Sequence, residues 1–221
     1  MKDLSRIADP ARFVRENTRA NTAPLIPEVT LHLADEMVPL WHLTEAELEA
    51  TGLAPPFWAF AWAGGQAVTR YILDHPETVA GKRVLDFASG SGLGAIAAMQ
   101  AGAAHVLASD VDPLACAATT MNAEANGVAV EVTTEDLVGQ MDLAVDVILA
   151  GDICYEQPLA GQVEAWLKTL ARTGKLVLLG DPGRTYLPRS GMEEVATYAV
   201  QTTRELEDSD VRRTTVWRVL P

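Results

Sequence analysis

The sequence is short of cysteine, of positive charge over its middle third and of any long apolar run. Each shortage narrows what the chain can be. Two cysteines, Cys116 and Cys154, among 221 residues cannot build a disulfide scaffold and fit a reducing compartment. No stretch approaches the roughly 20 consecutive apolar residues that span a bilayer, and the opening MKDLSRIADPARF lacks the apolar core of a signal peptide. A soluble cytoplasmic protein with no membrane partner is the expectation. Four scattered histidines, His32, His42, His75 and His105, have no metal-ligand spacing, so no metal site is expected. Between Val84 and Leu167 there is not one Lys or Arg, while the same 84 residues carry 12 of the acids behind the net charge of −13. Nucleic-acid binding needs cationic side chains that displace counterions from phosphate, and this segment has none. A negative field instead favours a cationic ligand or a basic protein surface. A merely solvated acidic face is the simpler account for most of these acids, so only those at strand ends are singled out.

The remainder is ordinary for a globular chain, at 48% hydrophobic and 21% charged residues. The length suits one domain with an extension. Residues 1–65 read as the extension. Within it Ala11 to Thr18 suggests a short helix, Glu28 to Leu33 alternates like a strand, and Thr44 to Glu47 has the form of a capping box opening a helix that stops near Gly52. A proline- and tryptophan-rich run, Pro55 to Gly65, follows. Residues 66–221 read as a domain of alternating elements. Strands are expected at Lys82 to Phe87, His105 to Ser109, Val128 to Thr133, Val145 to Ala150 and Lys175 to Gly180. Helices are expected at Gln66 to Asp74, Leu93 to Gln100, Pro113 to Ala125 and Gln157 to Ala171, with Asp112 as an N-cap. Thr197 to Thr202 and Thr214 to Val219 read as a closing antiparallel pair. This alternation predicts an α/β fold, a mostly parallel sheet with helices on both faces. Ligands of such sheets bind beyond the carboxyl ends of the strands.

At the first of these ends lies VLDFASGSGLG, Val84 to Gly94, a strand entering a glycine-containing turn and then a helix. Gly90 and Gly92 allow close approach of a ligand to the backbone. Asp110 ends the next strand, 18 residues after Gly92, where an acid can accept hydrogen bonds from both hydroxyls of a ribose. The pattern points to an adenosine-containing cofactor, with a ligand-free tight turn as the alternative. Gly90 to Ala95 also fits the dinucleotide fingerprint, so NAD has to be weighed. Asp86 stands against it, since a carboxylate near the end of the first strand would repel a diphosphate seated on the loop. S-adenosylmethionine carries a sulfonium and an ammonium and no phosphate, and suits an acidic strand end. It is the expected cofactor.

D-x-A-x-G-x-G from Asp86 to Gly92 resembles motif I of the class I, seven-strand methyltransferases, with Ala88 where a glycine is usual. Asp110 matches that family's ribose-binding acid, and Glu135-Asp136-Leu137 matches the place where an acid meets the adenine amino group beside an apolar cover. After the fourth strand Asp152-Ile153-Cys154-Tyr155 stands in place of the Asn/Asp-Pro-Pro-Tyr of DNA and glutamine methyltransferases, and is similar to the lysine-methylating subgroup. The Pro55–Trp62 run with Gly64-Gly65-Gln66, the Asp152–Glu156 segment, and Gly180-Asp181-Pro182-Gly183-Arg184 together resemble the electron-transfer-flavoprotein β-subunit lysine methyltransferases. The resemblance implies a Rossmann-like seven-stranded sheet and lysine methylation of that β subunit. It implies a cofactor site of Trp62, Asp86, Ala88, Ser89, Gly90, Gly92, Asp110, Val111, Asp136, Leu137 and Ala150. Asp152 and Tyr155 become the expected catalytic pair: Asp152 aims the incoming ammonium and Tyr155 the amine lone pair. An N-cap of the following helix is the other reading of Asp152, and simple packing that of Tyr155 and Trp58. Asp181 and Arg184 receive no role, and Cys154 is taken as a packing residue. A small-molecule N-methyltransferase acting on a nicotinamide-like amine, a non-catalytic binding module and a dehydrogenase are the competing functions. A monomer is expected.

Overall fold

The structure, a computed structural model, describes residues 9–34, 55–202 and 209–221. The expected helix opening at Thr44 lies outside the described residues, as do Trp41 and His42. Helices and strands below are numbered in chain order through the described part.

Helix α1 (Pro10–Glu16) is capped by Asp9, whose side chain accepts from the Arg12 N–H, and has proline in its first turn. Strands β1 (Arg19–Ala23) and β2 (Ile26–Leu33) form an antiparallel hairpin. The sequence reading contains β2 but not β1. The first four residues of β1, Arg19 to Thr22, are exposed and only Ala23 is buried, so no apolar alternation marks it. Ile26, Val29 and Leu31 of β2 are fully buried. A single 3-10 turn at Phe57–Ala59 then leads into α2 (Ala63–Asp74), which starts three residues earlier than the sequence suggests.

The main sheet contains β3 (Arg83–Phe87), β4 (His105–Ser109), β5 (Glu131–Thr133), β6 (Val147–Gly151), β7 (Leu176–Asp181), β8 (Met192–Gln201) and β9 (Val211–Val219). Between them lie α3 (Leu93–Gln100), α4 (Pro113–Ala125) and α5 (Leu159–Arg172). The order across the sheet is β5-β4-β3-β6-β7-β9-β8, parallel through β7, with β9 antiparallel to both β7 and β8. This is the expected seven-stranded α/β sheet. The chain reverses its direction of travel between β3 and β6, which creates the crevice that ligands use.

Successive side chains of a strand point to opposite faces, and here the two faces are two separate cores. Val84, Val147, Leu149 and Leu178 pack with α2 and α3. Leu85, Ile148, Ala150, Val177 and Leu179 pack with α5. Helix α5 buries Ala160, Val163, Trp166, Leu167, Leu170 and Ala171, the spacing of a one-sided helix. The β1–β2 hairpin is tied to α4 by two asparagines. Asn126 accepts from the Thr30 N–H and donates to the Thr30 carbonyl, and the Asn122 Oδ1 accepts from the His32 N–H at 2.7 Å. Among the described residues no helix is long and apolar enough to cross a membrane.

Candidate active site

The turn after β3 is shaped by backbone conformation. Gly92, at φ +80°, is the N-cap of α3, and a Cβ there would lie 2.8 Å from the Thr119 side chain. Ala88 also has positive φ, +53°. The family's usual glycine at that place therefore answers a left-handed backbone and not only a lack of room. The resemblance alone makes Ala88 look like a mild steric change; its conformation makes it a strained one.

Asp86 lies under this turn, 7% exposed, and its Oδ2 accepts from the Ala95 N–H at 2.8 Å. The N-terminus of α3, where a diphosphate would bind, is thus already occupied by the protein's own carboxylate. Burial pushes Asp86 up to about 7, and the neighbouring Asp110 adds to the rise against the lowering effect of the Ala95 hydrogen bond. A cationic ligand would favour its ionised form. Asp110 closes on the same turn: its Oδ2 accepts from the Gly90 N–H at 2.9 Å and its Oδ1 from the Asp112 N–H at 3.0 Å. Burial also raises Asp110, opposed by those two hydrogen bonds.

An open cleft beside the turn is lined by Trp62, Asp86, Ala88, Ser89, Gly90, Ala150 and Asp152 among others, with no Lys or Arg among the described residues of its wall. Seven residues expected at the site therefore meet in one place. Gly92 is buried just behind the turn. Asp110, Val111, Asp136, Leu137 and Tyr155 lie outside the lining of this cleft. Val111 is 67% exposed beside Asp110. Asp136 is exposed and its Oδ1 accepts from the Val138 N–H, whereas Leu137 points into the core shared with α5.

The opposite wall is built by an unusually close approach. A Cβ on Gly151 would meet the Gly65 backbone at 2.6 Å, and one on Gly180 would meet the Gly64 carbonyl at 2.1 Å. Glycines at these positions let the N-terminus of α2 rest directly on the ends of β6 and β7. Trp62, the N-cap of α2, makes no side-chain cap hydrogen bond. Asp152 supplies it from across the chain: its Oδ2 accepts from the Gly65 N–H at 2.9 Å. Its own backbone is left-handed, φ +57°, a conformation that Asp tolerates better than most residues. Asp152 does not cap the following helix, α5, whose N-cap is Pro158.

The other oxygen of Asp152 accepts from Arg184, Nη2 at 2.6 Å and Nε at 3.1 Å. Arg184 sits in a turn organised by Asp181, whose Oδ1 accepts from the N–H groups of Gly183 and Arg184, both at 2.6 Å. The guanidinium lies 5.7 Å from the centre of the Trp62 ring, within cation–π range. Phe57 joins the wall to the rim, packing edge-on against Trp62 (5.8 Å between ring centres) and Tyr155 (5.5 Å). Tyr155 remains 42% exposed, at the mouth. Its phenol is raised, mainly by burial, and stays protonated at neutral pH. Cys154 is buried and pushed up to about 12 by burial, which suits a packing thiol. Trp58 is likewise core, 1% exposed. Among the described residues no cluster of side chains could hold a metal ion.

A family profile described as ribosomal protein L11 methyltransferase matches residues 61–180, a range that holds every described residue of the cleft lining except Phe60. An electron transfer flavoprotein beta subunit lysine methyltransferase of Danio rerio is 37% identical over 217 residues, covering 95% of this chain and 83% of that protein. The chain belongs to this lysine methyltransferase family. In three dimensions it is similar to a ribosomal protein L11 methylase from Lactobacillus delbrueckii (TM-score 0.51, 19% identity, 73% of this chain and 81% of that one). It is also similar to a magnesium protoporphyrin IX methyltransferase from Synechocystis solved with bound S-adenosylmethionine (TM-score 0.51, 18% identity, 69% and 76%). Those two likenesses bear on the fold, which is the class I methyltransferase sheet.

Within this lysine methyltransferase, sequence reasoning quoted Asp181 and Arg184 without assigning them work, and passed over Phe57 and the glycine junction. One signal was available for Arg184. It is a cation just past a strand end, where the other strand ends carry acids.

Proposed function

We propose that this protein transfers methyl groups from S-adenosylmethionine to lysine side chains of the electron transfer flavoprotein β subunit. The observation that carries the cofactor is the set of carboxylates around a cleft whose described lining holds no Lys or Arg. Asp86 takes the α3 amide that a diphosphate would need, and Asp110, at the end of β4, is proposed to receive ribose hydroxyls on oxygens that also accept from the Gly90 and Asp112 N–H groups. Trp62, Ala88, Ser89, Gly90 and Ala150 form walls to the same cleft, with Gly92 behind them. Val111, Asp136 and Leu137 are proposed for the adenine end, on the strength of their position after β4 and β5. Family membership supports the substrate, because the Danio rerio relative bears that β subunit in its name.

When bound, S-adenosylmethionine supplies a methyl on a positively charged sulfur: the amine lone pair forms the new C–N bond as the C–S bond breaks and its electron pair stays on sulfur. The amine must arrive neutral and aligned. A free lysine, with its pKa near 10.4, is neutral in only about one molecule in 2,500 at pH 7. Asp152 at the cleft wall and Tyr155 at its mouth are the groups proposed to receive and aim the side chain, and the proton leaves to water. The exposed aromatic mouth of Phe57 and Tyr155 suits the methylene stem of a lysine.

Incubation of the purified protein with S-adenosylmethionine and recombinant β subunit, followed by peptide mass spectrometry, tests this. Methyl increments confined to lysines of the β subunit are expected. Label appearing only in small molecules, or only in ribosomal protein L11, would overturn it.

A further inference from the structure

The loop after β7 brings a permanent cation to the corner where the proposed reaction needs a neutral amine. Arg184 and Asp152 are an ion pair with both partners largely withdrawn from water, their side chains 18% and 10% exposed. The pair is built from the backbone up. Asp181, 1% exposed, fixes the turn that presents Arg184, and the N-terminus of α2 fixes the other oxygen of Asp152. Several other ionisable groups act on Cys154 and Tyr155 beside this pair: Asp181, Glu164 of α5, Glu156 after β6 and Asp110 of β4. One of them, Glu164, is itself paired with Lys168 at 2.6 Å.

We propose that Arg184 is a positioning residue for methyl transfer: it balances the charge of Asp152, so that an entering lysine is held without being fixed as an ammonium. The proposal rests on the lysine-methylating function stated above. Its physical basis is a sign problem. A lone carboxylate beside a lysine favours the protonated, unreactive form, whereas a carboxylate already paired with a guanidinium presents hydrogen-bond acceptors with little net charge. A lysine would balance the charge at neutral pH as well, but a guanidinium keeps its proton throughout the alkaline range and cannot exchange it with the substrate. The amine then gives its proton to water before attack. The stacking of the guanidinium on Trp62 holds the cation to one side of the channel.

The test compares wild type with Arg184→Gln and Arg184→Lys from neutral to alkaline pH, using the β subunit as substrate. For Arg184→Gln, kcat at neutral pH should fall about tenfold for each unit by which the bound amine's pKa rises, and recover toward wild type as the pH is raised. Arg184→Lys, which keeps the charge, should retain the neutral-pH rate to within a few-fold. A second readout avoids turnover: calorimetric binding of the β subunit to protein saturated with S-adenosylhomocysteine. Arg184→Gln should bind as tightly as wild type or more so at neutral pH, since the unbalanced carboxylate attracts the ammonium. A kcat lowered by the same factor at every pH, an unchanged kcat, or binding lost in step with turnover would each overturn the proposal. If Arg184→Gln does not fold, Asp181→Asn, which loosens the turn, should give the same alkaline displacement in smaller measure. A profile parallel to wild type would then overturn it. Wild type that methylates no β subunit removes the function itself, a result visible before any variant is made.

Discussion

Ala88 holds a left-handed backbone conformation that disfavours any residue with a Cβ, at φ +53°. Ala88→Gly should relieve that strain and stabilise the protein by about 0.5–1 kcal/mol, read as a higher denaturant midpoint; no change would mean that the turn relaxes at no cost. Asp86 links protonation to cofactor binding. Its folded value of about 7 lies above the ordinary carboxylate value, so the folded protein keeps a proton that the unfolded chain has already lost. This residue's contribution to stability is accordingly greatest in the acid range and declines as pH rises through about 7. A cationic ligand reverses the preference, so affinity for S-adenosylmethionine should increase as pH climbs through the same range. Asp86→Asn should flatten that profile and, at alkaline pH, weaken binding about tenfold or more, the scale of a hydrogen bond to a charged group. An unaltered profile by calorimetry would remove Asp86 from the site. Asp152 carries two duties, and two substitutions separate them. Asp152→Asn retains an oxygen for the Gly65 N–H but discards the charge, and should abolish turnover with S-adenosylhomocysteine affinity kept within a few-fold. Asp152→Ala should also lose about 1 kcal/mol or more of stability, because the α2 cap disappears and Arg184 is left largely withdrawn from water without this partner. Full turnover in Asp152→Asn would eliminate it from the reaction.

At the scale of elements, the cleft exists because α2 starts on top of the sheet. Gly64, Gly151 and Gly180 sit against neighbouring backbone at distances that leave none of the three room for a side chain. Gly180→Ala would drive a Cβ to 2.1 Å from the Gly64 carbonyl, so α2 must lift from β7. A loss of about 3 kcal/mol or more is expected, since neither side of the contact is a flexible side chain. Gly65→Ala offers the contrast: nothing lies within 4 Å of its Cβ. Alanine there should raise stability by about 0.5–1 kcal/mol through helix propensity. Equal unfolding midpoints for the two variants would refute the close-packed junction.

For the molecule as a whole, the charge distribution sets the encounter with substrate. The lysine- and arginine-free stretch supplies β3 through most of α5, and its Asp86, Asp110, Asp112 and Asp152 stand at the strand ends beside the cleft. A field of this sign draws in a lysine-bearing surface and is weakened by salt. For the β subunit, kcat/KM should fall steadily with added salt while kcat stays nearly constant. A salt-independent kcat/KM would show that the acids serve solubility alone.

The regular alternation of buried strands and amphipathic helices was legible from Gln66 onward because period and turn residues are local signals. Leu93 to Gln100, His105 to Ser109 and Pro113 to Ala125 have the boundaries that the sequence predicts, the last with its Asp112 cap. Strand β1 was not legible, since its polar residues gain strand geometry only by pairing with β2. The residue types of the site were legible too: an acid at each strand end, small residues in the first turn, and Asp152 with Tyr155 after β6. Their partners were not. That Asp152 caps a helix 87 residues before it, and is held by an arginine 32 residues after it, depends on a crossing of α2, β6 and β7. Chain order records which side chains are available, whereas hydrogen bonds and ion pairs act over a few ångströms, and only the folded sheet brings those groups within that reach.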